Sequence, residues 1–204
     1  MHRARVRARF DAVNDPLTRC SVGLLAAVVL AACNGRPLGT LDVRLGSPAN
    51  SRHAFTVRTG FAEYVELADV GSELTVTLAN YEASCERYVP PPEGKLSVTV
   101  VVFAPSGTRI AAATYPWAGP QAHGGTPTRP ERAYSLPTVR IGRKSQLIEP
   151  GGGVELRRVE LAREGRVSGL LQFESPGDAD HEATSITGRF DVPLCRVRDS
   201  HGQT

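Results

Sequence analysis

The feature that most constrains this chain is a short period. Leu74-Thr75-Val76-Thr77-Leu78 alternates apolar and polar residues without a break, and Leu41-Asp42-Val43-Arg44-Leu45 does the same. Side chains of a strand point to opposite faces in turn, so this period of two marks strands with one face buried. The pattern recurs at 154–162, 166–175 and 185–197, where Ile186, Gly188, Phe190 and Val192 point one way and Thr187, Arg189 and Asp191 the other. Residues 96–104 begin by alternating and become continuously apolar, as a central strand covered on both faces does. No stretch after Cys33 sustains a helical period; residues 58–71 come closest and read as a strand or one short helix. Short strands separated by turn signals predict an all-β fold, an antiparallel β-sandwich of Ig-like or jelly-roll-like type.

Local detail sharpens this reading. Pro105-Ser106-Gly107 is a turn signal that makes 96–104 and 109–117 a hairpin. Pro137 places 133–141 at a sheet edge or a bulge, since proline cannot donate to a ladder. The alternation in 154–162 slips at Arg157-Arg158, which a β-bulge explains, and 166–175 pairs with it across Arg163-Glu164-Gly165.

The N-terminal segment is of another kind. Arg3, Arg5, Arg7, Arg9 and Arg19 precede a run, residues 21–32, that is almost wholly apolar and ends at Cys33. A spanning helix needs about 20 apolar residues, and this run is shorter. A charged start, an apolar stretch of roughly 7–15 residues and small residues at its end are the layout of a secretory signal. The formal net charge is +3. Setting aside the five Arg and two acids before Cys33 leaves as many basic as acidic residues, so the positive excess belongs to the signal. The remainder has no basic stripe and no aromatic–basic platform, which excludes a nucleic-acid partner.

Leu30-Ala31-Ala32-Cys33 resembles the lipobox of bacterial lipoproteins. The resemblance implies that Cys33 is lipidated and that the chain is cleaved before it. It implies a membrane partner through the lipid anchor. Asn34, where an Asp would signal inner-membrane retention, favours the outer membrane of the cell envelope. The resulting organisation is a lipoprotein signal peptide at 1–32, lipidated Cys33 and a tether to 40, a single β-domain at 41–197 and a polar tail at 198–204. Beyond the signal, the chain is similar to Gram-negative envelope lipoproteins only in general look.

With Cys20 removed and Cys33 lipidated, Cys85 and Cys195 remain in an oxidising compartment. Such a pair is expected to form a disulfide, two separate buried thiols being the alternative. Their spacing is not that of a zinc motif.

Candidate ligand sites are sparse. Asp178, Asp180 and Glu182, with His181 among them, could converge on a Ca²⁺ ion, which takes oxygen ligands; a solvated hairpin loop is the ordinary reading. Tyr115, Trp117 and Tyr134 could form a sugar-binding platform, or cap the core with polar tips outward. His123-Gly124-Gly125 lacks the nucleophile elbow that would make it an esterase loop. Gly151-Gly152-Gly153 precedes a strand rather than a helix, so it is no phosphate loop. No cofactor is implied. The leading expectation is a non-enzymatic envelope protein with a protein-binding or structural role. A glycan- or Ca²⁺-binding module and a hydrolase using His53, His123 or His181 are the alternatives.

Overall fold

In the computed structural model, the described residues are 38–45, 51–87, 89–118, 132–147, 151–175 and 183–198. Residues 1–37, where the signal segment and most of the tether are expected, and residues 176–182 and 199–204 therefore lie outside them. Eleven strands account for most of these residues, and no helix occurs among them: β1 Gly39–Leu45, β2 Ser51–Thr56, β3 Thr59–Leu67, β4 Gly71–Ala79, β5 Leu96–Pro105, β6 Ala113–Pro116, β7 Tyr134–Ile141, β8 Lys144–Leu147, β9 Gly151–Val159, β10 Arg166–Ser175 and β11 Thr184–Arg198.

The strands form one mixed sheet in the order β6-β9-β10-β11-β3-β4-β5-β7-β8, with β1 paired to β11 and β2 to β1. This differs from a purely antiparallel sandwich where β11 meets β3, a parallel strand pairing, and at an isolated parallel bridge between Trp117 and Ser135. β11 is the longest strand; residues 184–193 pair antiparallel with β10, while Leu194–Arg198 pair parallel with β3. A register shift between Leu194 and Arg196, next to Pro193, turns the strand from one part of the sheet to the other. At the far side Trp117 bridges Ser135. Its N–H donates to Gly152 O (2.8 Å), and the Ala118 N–H donates to Ser135 O (3.2 Å). The sheet thereby nearly closes into a barrel.

The alternation read in the sequence is the inside–outside alternation of this barrel. Leu74, Val76 and Leu78 of β4 face Val98, Val100 and Val102 of β5 on the inside, with Phe173, Leu171 and Ile186 opposite, all almost fully buried. Burying each such side chain contributes roughly 1.5–3 kcal/mol. The stretch 58–71 resolves as strand, turn and strand: Gly60, Ala62 and Tyr64 of β3 point inward. The slip in β9 is a bulge: Ser168 pairs Arg158 but Gly169 pairs Leu156, so Arg157 is the extra residue.

The hairpin expected between 96–104 and 109–117 does not form. β5 is flanked by β4 and β7, and β6 pairs β9 instead. The turn at Ser106-Gly107 is there, but the chain leaves it toward the other part of the sheet, where the inward Tyr115 is buried. Gly153 makes that docking possible, and Gly152 beside it lets β9 lie close against β10. A Cβ on Gly153 would lie 2.2 Å from Tyr115 O, and Gly152 has φ +87° with its own Cβ position blocked by Gln172 O at 1.9 Å. Pro137 pairs Val100 of β5 on one side, and β8 begins its pairing only at Thr138 on the other. The missing N–H thus falls where the neighbouring strand stops.

Candidate functional site

The outer face of β3, β4, β5 and β7 gathers more chemistry than any single segment of sequence suggests. The strand registers set its side chains in rows. Glu73, Phe103 and Tyr134 form one, Glu63, Thr75, Val101 and Leu136 the next, and Phe61, Thr77, Thr99 and Thr138 the third. All are half-buried, although they point away from the barrel interior. Threonine and branched aliphatic residues suit a pleated, partly covered surface.

The segment from Asn80 to Lys95 folds back over the third row. It is held at its base by the Asn80 side chain, which accepts the Leu96 N–H at 2.9 Å. The Tyr81 hydroxyl donates to Val89 O at 3.0 Å, and the Ala83 N–H donates to Thr59 Oγ1 at 3.4 Å. Glu82 pairs with Arg58 at 2.7 Å. A disulfide between Cys85 and Cys195 fastens the segment to β11. Between segment and sheet lies a cavity of about 330 Å³, floored by Phe61, Glu63, Thr77 and Thr99 and roofed by Tyr81 and Cys85. Val89, on the same segment, is the exposed large hydrophobic residue of the described part, at 39%.

The electrostatics are local. Glu63 pairs with Arg196 at 3.2 Å across the parallel β3–β11 joint, with both side chains about 70% covered. Glu63, Cys85 and Cys195 bring their ligand atoms within 4.8 Å of one another. At the other end of the face, partial burial pushes the Tyr134 hydroxyl above its ordinary pKa of 10.0, and the Glu73 carboxylate adds to the shift. The Phe103 and Tyr134 rings stack at 5.0 Å with a 36° tilt.

The three aromatic residues of the expected sugar platform are not brought to one surface. Tyr115 is an interior side chain, 4% exposed, and its hydroxyl is spent on its own turn: it accepts from Ala111 N at 2.9 Å and donates to Ala111 O at 3.0 Å. Trp117 packs against the core, with its Nε1 buried and without a hydrogen-bond partner among the described residues. Tyr134 alone is on the outer face. The reason is phase: Tyr115 points inward on β6 and Trp117, just past its end, packs partly against the core, whereas Tyr134 precedes the inward Ser135 on β7. His53 lies on β2, its Nε2 3.0 Å from Ser51 Oγ. Leu30, Ala31, Ala32 and Cys33, the carboxylates Asp178, Asp180 and Glu182, and His123 and His181 lie outside the described residues.

Glu63 and Arg196 carry no sequence signature. Their meeting depends on a parallel pairing between strands more than a hundred residues apart, which no local pattern announces. The cysteine pairing pointed to the neighbourhood but not to the carboxylate beside it. No family model, curated protein or solved structure matches the chain.

Proposed function

We propose that the chain is a non-enzymatic, lipid-anchored protein of the cell envelope that engages a protein partner through the outer face of β3, β4, β5 and β7. The signal segment with Leu30-Ala31-Ala32-Cys33 supports the anchoring. The observation that carries the binding surface is the row Glu73–Phe103–Tyr134 beside Val101 and Leu136. It places a stacked aromatic pair and branched aliphatic side chains on the outside of a sheet whose interior is already filled. Aromatic side chains of this kind dominate the energetics of protein interfaces.

The test is made in the native cell with the full chain. Incorporation of a fatty-acid analogue and recovery in the membrane fraction are expected for the wild type and lost in Cys33→Ala. A photo-crosslinking residue at Leu136 is expected to trap a discrete adduct, whereas the same residue at Arg157, on the bulge of β9, traps none. Equal yields at both positions would sink the assignment of the surface, and acyl labelling that survives Cys33→Ala would sink the anchor.

A further inference from the structure

We propose that the Cys85–Cys195 pair doubles as a metal site, the two thiolates and Glu63 binding one zinc-class divalent cation once a dithiol has reduced the disulfide. The three groups come from three elements, the 80–95 segment, β11 and β3, and converge with ligand atoms within 4.8 Å of one another. In the reductive step the external dithiol gives two electrons and two protons to the S–S bond and leaves as its own disulfide. The cation then displaces both thiol protons to water as the two metal–sulfur bonds form.

The geometry needs little adjustment. A tetrahedral ion with metal–sulfur bonds of about 2.3 Å holds its two sulfurs roughly 3.8 Å apart, against about 2.0 Å in a disulfide. The bonds that seat the segment, Ala83 to Thr59 and Glu82 to Arg58, and the Tyr81 to Val89 bond that closes it on itself, do not depend on the S–S bond. They keep Cys85 over β11 after reduction.

The charge also balances. Two thiolates and a carboxylate exceed a divalent ion by one negative charge, and Arg196, 3.2 Å from Glu63, supplies the positive one. It would hold the ligating carboxylate in place as an outer-shell partner. Three protein ligands leave a fourth position for water, the arrangement of an open zinc site. Soft thiolates select zinc-like ions over Ca²⁺ or Mg²⁺.

The experiment uses the full chain carrying Cys20→Ser and Cys33→Ser, so that only Cys85 and Cys195 titrate. It is reduced with a phosphine without oxygen and titrated with Co²⁺. One equivalent is expected to bind with thiolate-to-cobalt charge-transfer absorption, to be displaced by Zn²⁺ and to be absent from the oxidised protein. Glu63→Gln keeps both thiols, and is expected to weaken binding by at least about tenfold, the lower end of what loss of even an outer-shell partner costs. The proposal is overturned by absence of the band in the reduced protein, or by Glu63→Gln binding as tightly as its parent. Loss of β-sheet circular dichroism on reduction overturns it equally, because the arrangement it needs is then gone. None of these outcomes touches the anchoring of Cys33 or the partner surface at Leu136.

Discussion

Tyr134 illustrates how one side chain reports on the face it stands on. Its ring stacks on Phe103, and Glu73 lies beyond Phe103 in the same cross-strand row, where its carboxylate also accepts from Thr75 Oγ1 at 2.9 Å. Partial burial first, and Glu73 second, disfavour the phenolate and raise the hydroxyl's pKa above 10.0. The native state therefore binds the proton more tightly than the unfolded chain does. Stability from this residue is fully present below the unfolded pKa of about 10 and is lost as pH rises through the folded value. Thermal melts across the alkaline range are expected to show a steeper decline for the wild type than for Tyr134→Phe. Glu73→Gln should fall between them, because it removes the smaller of the two causes. Identical alkaline profiles for wild type and Tyr134→Phe would contradict the placement of the ring. Nothing in the sequence separates this tyrosine from Tyr115, whose hydroxyl is closed off within its own turn; only the phase of each strand decides which of the two meets solvent.

At the level of elements, the closure between β6 and β7 depends on one small side chain. Ser135 is fully buried, and its hydroxyl donates to Tyr115 O at 2.8 Å and lies 3.2 Å from Pro116 O. Together with the Trp117–Ser135 bridge this is what joins the two ends of the sheet. Ser135→Ala removes the donor without adding bulk and leaves a buried carbonyl short of a partner. A loss of about 1–2 kcal/mol in urea unfolding is expected, with an unchanged denaturant slope, since the exposed surface of the unfolded chain is the same. The strands themselves were largely legible. Alternation located β1, β4, β9, β10 and β11, and the slip at Arg157-Arg158 located the bulge. β2 and the short β8 were not. Ser51–Thr56 alternates half-buried and exposed positions, but the half-buried ones are Ser51, His53 and Phe55 and the exposed ones include Ala54, so its residue types show no apolar period. The expected β5–β6 hairpin failed for a related reason: Ser106-Gly107 encodes a turn, but a turn does not encode which strand the following residues will join. That choice rests with Gly153, against which β6 lies, and with the core that receives Tyr115.

At the scale of the whole molecule, the disulfide is the covalent link between distant parts of the described chain. Cys85 and Cys195 are 110 residues apart, and the loop they close contains β5 through β10 and most of β11. That the two cysteines pair was expected from the compartment that the resemblance of Leu30-Ala31-Ala32-Cys33 to a lipobox implies. That they sit beside Glu63 was not, because β3 reaches β11 through a parallel pairing of strands far apart in the sequence. A cross-link acts mainly on the unfolded chain, by removing conformations that a free loop would sample. For a loop of this length the chain-entropy relation gives about 4–5 kcal/mol. Cys85→Ala combined with Cys195→Ala is therefore expected to lower the unfolding free energy by about that amount, and also to raise the denaturant slope, because the unlinked chain expands further and exposes more surface. The slope separates the two predicted losses. Ser135→Ala weakens the native barrel alone, whereas the double cysteine variant frees the denatured state. A cysteine variant that loses stability with no change in slope would show instead that the bond works in the folded state, by holding the 80–95 segment against the outer face of β3 and β4.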